Sequence, residues 1–131
     1  MRGEALDWFE EAKVDLDRAR RALNDGDYSL SCYMSQQAVE KAMKAVIIGL
    51  RRERPPHLHD LTALYELIRE KVQLPASLVE VLPEVSQYYV TARYPNAGVS
   101  RPSKGFSRLQ AVRALEAAEN VLRKIEEAIH S

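Results

Sequence analysis

Tyr28-Ser29-Leu30-Ser31-Cys32-Tyr33-Met34-Ser35-Gln36-Gln37-Ala38-Val39-Glu40-Lys41-Ala42-Met43-Lys44-Ala45-Val46-Ile47-Ile48-Gly49-Leu50 is a run of 23 residues with no proline and a single glycine near its end. Cys32, Val39, Met43, Val46 and Leu50 line up as one apolar stripe of a helix. Leu30, Met34, Ala38, Ala45 and Ile48 form a second stripe on the far side, at about 100° per residue. A helix that is apolar on two sides is buried on two sides. The segment therefore predicts the central helix of the domain, part of a dimer interface, or both. Gln36 falls inside the main stripe by angle. A buried amide must find partners, so Gln36 is expected to be a hydrogen-bond node in the core.

The flanking sequence is helical as well. Phe9, Ala12, Leu16, Ala19 and Leu23 make the stripe of a first helix over residues 4–23. Asn24-Asp25-Gly26-Asp27 ends it, with Gly26 as the stop and Asp27 as the cap of the next helix. Beyond residue 50, Arg51 to His57 reads as a loop with Pro55-Pro56 inside it. A third helix starts near His59-Asp60 and carries Leu61, Leu64, Tyr65, Ile68 and Val72. Ser77-x-x-Glu80 has the pattern of a capping box that opens a fourth helix. That helix is expected to start late or kink at Pro83 and to run to about Tyr94, where Pro95 stops it. Tyr88 and Tyr89 face different sides of it, one toward the core and one toward an interface. Residues 95–106 read as a Pro/Gly/Ser loop. Ser107-x-x-Gln110 is a second capping box, and Leu109, Val112, Leu115, Leu122, Ile125 and Ile129 follow close to a heptad. The expected fold is all-α: an up-and-down antiparallel bundle of four long helices plus a shorter fifth, in a single domain over 1–131.

Composition narrows the function. The chain has 131 residues, with 19 Lys plus Arg against 19 Asp plus Glu, so its formal net charge is zero. That balance excludes a broadly cationic nucleic-acid coat. Cys32 is the one cysteine, which excludes intrachain disulfides and multi-cysteine metal sites and fits a cytoplasmic location. No apolar run approaches the roughly 20 residues of a membrane span, and the first residues do not form a signal peptide. There is no Walker loop, GxGxxG or HExxH. The residues call for no cofactor, and His57 and His59 alone are weak metal ligands. By segment the charge is uneven: residues 93–108 carry Arg93, Arg101, Lys104 and Arg108 with no acid, and the loop from Arg51 adds Arg52 and Arg54 against Glu53. In an up-and-down bundle these two loops share one end with the N-termini of helices three and five. A basic end of that kind suits an anion such as a phosphate, a nucleotide or an RNA backbone.

Four words of the sequence carry a resemblance: Gly26-Asp27-Tyr28, Gln37-Ala38-Val39-Glu40-Lys41-Ala42-Met43-Lys44-Ala45, His59-Asp60-Leu61-x-x-Leu64, and Tyr88-x-x-x-x-Arg93-Tyr94-Pro95. Together, over roughly residues 5–128, the chain resembles a HEPN domain, the higher eukaryote and prokaryote nucleotide-binding module. The resemblance implies a prokaryotic, homodimeric helical protein of the type associated with a minimal nucleotidyltransferase. It would act as a nucleotide-binding subunit or as one half of a toxin–antitoxin pair. Another branch of the family is made of metal-independent ribonucleases whose signature is Arg, four to six residues, then His. After Arg93 the positions for that His hold Gly98, Val99 and Ser100. The pattern does match elsewhere, in the earlier loop, as Arg51 or Arg52 with His57 and Arg54 with His59.

The candidate ligand-binding residues are Arg93, Tyr94, Gln37, Lys41, Lys44, His59, Arg101 and Lys104, with no catalytic and no metal-ligating residue assigned. Arg93 suits a phosphate through its planar guanidinium, or else serves as a helix-terminal charge or structural ion pair. Tyr94 suits a base by stacking, or packs under a loop. Gln37, Lys41 and Lys44 share one side of helix two and line a nucleotide cleft, unless they form a solvated face with a Glu40–Lys44 pair. His59 holds a phosphate or caps helix three. Acidic pairs elsewhere read as solvated helix surface. The leading expectation is a non-catalytic module that binds a nucleotide or RNA phosphate. The alternatives are a ribonuclease acting through Arg93 and a displaced His59, and a bundle used only for assembly.

Overall fold

The computed structural model of the chain describes residues 3–95 and 101–130. Positions Gly98, Val99 and Ser100, within the expected 95–106 loop, lie outside them. Every regular element among the described residues is a helix: α1 (Glu4–Asn24), α2 (Tyr28–Gly49), α3 (Leu61–Ile68), α4 (Ala76–Ser86), α5 (Tyr88–Thr91), α6 (Pro102–Gly105) and α7 (Arg108–Ile129). No helix among them is long and apolar enough to cross a membrane.

The first two helices form a hairpin. Gly26 sits at φ 77, the left-handed region that a residue without Cβ enters at least cost. The turn closes with the amides of Gly26 and Asp27 donating to the carbonyls of Leu23 and Ala22, and the Asp27 carboxylate accepts from the Leu30 amide. Both assignments agree with the sequence. Ala5, Ala12 and Ala19 on α1 and Ala38, Ala42 and Ala45 on α2 are buried. Small side chains at these positions let backbones approach, and Ser31 Oγ donates to the Ala19 carbonyl at 2.8 Å across the hairpin.

Helix α2 is the centre of the molecule, packing against α1 and α7 and against α3, α4, α5 and α6. Its buried set runs without a break from Ala42 to Ile47, so the two predicted stripes merge into an almost fully enclosed helix. Leu30 departs from this, being exposed near the first turn.

Three local expectations change. Helix α4 begins at Ala76 with Pro75 at the N-cap and no side-chain cap. The fixed φ of Pro75 starts the helix early, and Ser77 falls inside its first turn instead of capping it. The fourth helix is split: it passes through Pro83, ends at Ser86 and resumes as α5 after Gln87. The break falls one turn beyond the proline, whose missing N–H leaves the Val79 carbonyl without its helical donor. Within the expected loop, Pro102 at the first helical position nucleates the single turn α6.

Helix α7 keeps its predicted capping box, with Ser107 and Gln110 bonded reciprocally. Its buried face differs from the leucine pattern. Leu109 is 62% exposed, and the core face is Ala111, Ala114, Leu115, Ala118, Val121, Leu122 and Ile125. Alanines carry the contact because α7 packs closely on α2, and a stripe drawn through large residues alone misplaces the face.

The segment between α2 and α3 positions the site. After Gly49 the amides of Arg51 and Glu53 close the helix on Val46 and Ile47, with Arg52 in the left-handed region at φ 57. The chain then doubles back. The His59 carbonyl accepts from Gln36 Nε2 at 3.0 Å, a residue about 20 Å back along α2 at 1.5 Å per residue. Asp60 caps α3 by accepting from the amides of Thr62 and Ala63. His59 is thus separated from the Arg51–Arg54 turn, and the start of α3 does not reinforce that basic end.

Truncating a core side chain tests the centrality of α2. Met43→Ala, at a fully buried position, is expected to lower unfolding free energy by about 2–5 kcal/mol in denaturant titration. Leu109→Ala should change it by less than about 0.5 kcal/mol.

The core also predicts an alkaline limit. Burial is the main cause that pushes the Tyr88 hydroxyl up from 10.0 to about 12 and the Cys32 thiol up from 9.0 to about 12. Both groups are neutral when protonated, and the folded chain holds these protons more tightly than the unfolded one. Their contribution is therefore complete below about pH 9 and lost as pH rises toward about 12. Tyr88→Phe should flatten that decline in thermal melts taken across the same range.

Candidate functional site

Glu40 lies in the middle of α2 and is 5% exposed. A carboxylate that deep needs donors, and they arrive from three sides. Lys44 Nζ pairs with it at 3.1 Å one turn along the helix. Gln36 Nε2 donates at 3.2 Å from one turn back, with Gln37 Nε2 at 3.5 Å. His59 Nδ1 sits 3.0 and 3.1 Å from its two oxygens. Gln37 also donates to Gln36 Oε1 at 2.7 Å. Gln36 is therefore the predicted core node, and it ties the 50–60 segment to α2.

The imidazole of His59 stacks on Tyr89, with centroids 3.8 Å apart and planes 10° from parallel. Tyr33 lies against the same tyrosine ring at 6.3 Å. Beyond them is Arg93, exposed just past α5. Its guanidinium carbon is 5.3 Å from the Tyr33 ring, 5.0 Å from Tyr89 and 4.9 Å from Tyr94. Hydrogen bonding to Tyr89 is the main cause that raises the Arg93 pKa above its ordinary value, with Tyr33 and Tyr94 adding to it. No carboxylate pairs with Arg93 among the described residues. Burial raises the Tyr33 pKa, and Arg93 opposes it. Tyr94 is 48% exposed, so its ring is available to stack.

An open cleft of about 470 Å³ runs beside His59, Asp60, Ser86, Gln87 and Tyr89, the size of a small-ligand site. The start of α3 borders it but offers no free amides. Asp60 takes those of Thr62 and Ala63, and Ser86 Oγ takes that of Leu61 at 2.9 Å.

The predicted residues therefore separate. Arg93 and His59 meet at Tyr89, and the Tyr94 ring lies against Arg93. Gln37 and Lys44 stand behind them as supports of Glu40, and Lys44 is almost buried. Lys41 lies elsewhere, paired at 2.7 Å with the fully buried Asp15, which Arg18 also meets at 2.7 Å. Arg101 and Lys104 are exposed on the α6 segment, and no contact joins them to the Arg93 cluster among the described residues. Among the described residues no hydrogen bond, ion pair or ring contact joins the Arg51–Arg54 turn to Arg93, Arg101 or Lys104, and Arg51 is spent on the Leu67 carbonyl and on Glu53. Glu40, Tyr33 and Tyr89 are the members that sequence reasoning missed. The reading of acidic residues as solvated surface fails at Asp15 and Glu40. Glu40 sits at helical spacing from both Gln36 and Lys44, the one signal that marked it. Among the described residues no three His, Cys, Asp or Glu side chains cluster as metal ligands.

Lys41 is assigned to structure by this arrangement. Lys41→Ala is expected to lower stability by about 1–3 kcal/mol, since Asp15 stays buried with only Arg18 beside it. Calorimetric titration of the variant with nucleotides should match the unaltered protein.

The comparisons with known proteins bear on the family and the fold. A model of the HEPN domain matches residues 5–128. The putative toxin MJ1304 of Methanocaldococcus jannaschii is 29% identical over 132 aligned residues, covering 92% of this chain and 84% of that protein. The crystal structure of TT1696 from Thermus thermophilus superposes with a TM-score of 0.85 at 34% identity, covering 97% of this chain and 99% of that one. ST0689, an archaeal HEPN homologue, superposes at 0.77 with 25% identity, over 96% of this chain and 98% of that one. A HEPN domain protein of Thermotoga maritima gives 0.70 with 26% identity, over 95% and 98%. The matched span takes in α1 to α7 with the Glu40–His59–Arg93 cluster, and the chain belongs to the HEPN domain family.

Proposed function

We propose that the chain is a HEPN module that binds the phosphate of a nucleotide or RNA at Arg93. One observation carries this reading: an exposed guanidinium with no carboxylate partner among the described residues is held against three tyrosine rings, one of which also stacks on a histidine. Arginine is the side chain best suited to bidentate phosphate contact. Tyr94 supplies an exposed ring for a base. Arg101 and Lys104 add positive charge on the connection that follows.

The module works as a homodimer and as the partner of a minimal nucleotidyltransferase, in a toxin–antitoxin pair. The likeness to a protein named as a toxin supports the last part, and the sequence words support the rest. The function is binding, with no reaction assigned to the chain itself.

A second reading has one observation in its favour. His59 and Arg93 both touch Tyr89, so a metal-independent ribonuclease with a displaced histidine has its acid–base group and its anion-binding group in one place.

Thermal-shift and calorimetric titration with nucleoside monophosphates and short RNA tests the binding reading. Arg93→Ala is expected to weaken binding at least about tenfold, the size of one charge-assisted hydrogen bond or more. Binding left intact in that variant refutes the assignment. Cleavage of RNA by metal-free protein, lost in both Arg93→Ala and His59→Ala, would establish the ribonuclease instead.

A further inference from the structure

The phosphate-binding reading leaves one question of chemistry open: what His59 presents to the ligand beside Arg93. The answer lies on the far side of the imidazole ring. The other groups that reach Glu40 are donors, namely the Lys44 ammonium and the Gln36 and Gln37 amides. A carboxylate paired with an ammonium only accepts. Nδ1 of His59, 3.0 Å from Oε1 and 3.1 Å from Oε2, must therefore carry hydrogen. In a neutral imidazole the other nitrogen is then an acceptor. The His59 side chain is 45% exposed, and Nε2 has no partner among the described residues.

We propose that Glu40 is a positioning residue that locks His59 with Nδ1 protonated and Nε2 accepting, so that the Arg93 site selects a ligand with a hydroxyl beside its phosphate. That ligand is a ribonucleotide in preference to its 2′-deoxy counterpart. The proposal rests on the phosphate-binding reading above and adds the sugar to it. The upper bound on the spacing allows one nucleotide to reach both groups. His59 and the Arg93 guanidinium carbon both contact Tyr89, at 3.8 and 5.0 Å from its centroid, so they are no more than about 9 Å apart. A phosphate on Arg93 and a neighbouring ribose hydroxyl on Nε2 fit within that span. The cleft of about 470 Å³ beside His59 and Tyr89 receives the remainder of the ligand. The 2′-hydroxyl is the group by which a protein tells RNA from DNA, and a lone acceptor at this point reads it as a donor.

Supports around the ring make the lock firm. Stacking on Tyr89 fixes the ring plane, and the His59 carbonyl bonded to Gln36 fixes its backbone. Lys44, itself over the Trp8 ring at 5.9 Å, holds the Glu40 carboxylate from one turn along the helix at 3.1 Å.

Two measurements decide the matter. Long-range proton–nitrogen correlation on the unaltered protein should show neutral His59 with Nδ1 protonated and Nε2 bare. The opposite tautomer, or a mixture, overturns the lock. Calorimetry is then run with the 3′-monophosphates of the four ribonucleosides and of their 2′-deoxy counterparts. The expected result is a ribose preference of about fivefold to tenfold, the size of one hydrogen bond. His59→Asn keeps a donor toward Glu40 but removes the outer acceptor. It should abolish the preference, bringing the ribose and deoxy compounds to equal affinity. Glu40→Ala combined with Lys44→Met removes both charges together and should erase the tautomer signature. If that variant fails to fold, the first measurement and His59→Asn still decide. Equal affinity for the two sugars overturns the proposal and leaves phosphate binding standing. Binding of neither overturns both.

Discussion

A carboxylate in the middle of an enclosed helix must be answered by hydrogen-bond donors, and the candidate site of this protein is the set of those answers. Glu40 is reached by Lys44, Gln36, Gln37 and His59, from its own helix and from the returning 50–60 segment. Remove the charge and nothing requires the segment to bring His59 there. Keep it, and the histidine, its stacked tyrosine and the arginine beyond follow in order. A buried ionic group of this kind contributes little net stability, because desolvation offsets the attraction. Its effect is on arrangement, since only a few placements of the surrounding donors satisfy it.

Much of this was legible in the residues, and the failures have physical causes. The two-sided apolar pattern of residues 28–50 marked the central helix, because full burial leaves no polar face to misread. Gly26, Asp27 and Ser107 acted as read, because capping is a local matter of one side chain and one or two amides. The core face of α7 was misplaced at Leu109 because close packing favours alanine, which a search for large side chains passes over. Ser77 matched a capping pattern and lost to Pro75, whose fixed φ starts the helix earlier.

The site was half legible. Arg93, Tyr94 and His59 were singled out on chemistry, and they do converge. Their meeting point was invisible, since Tyr89 joins His59 to Arg93 only after the chain doubles back along α2. Lys41 and Lys44 share a face with Gln37 on a helical wheel, but the wheel shows no neighbours. Asp15 claims one lysine and Glu40 the other. Glu40 was read as surface because a lone helix cannot reveal that a later segment covers it.

That covering segment is held at both ends. Arg51 donates to the Leu67 carbonyl at 2.6 Å, and the His59 carbonyl accepts from Gln36. Between them Pro55 and Pro56 restrict the backbone to extended forms. The connection behaves as a strut of set length. Surface loops commonly tolerate gained or lost residues, but here one residue more or fewer would shift the imidazole itself. The number of residues between Arg51 and His59 is therefore as much a determinant of the site as the identity of His59.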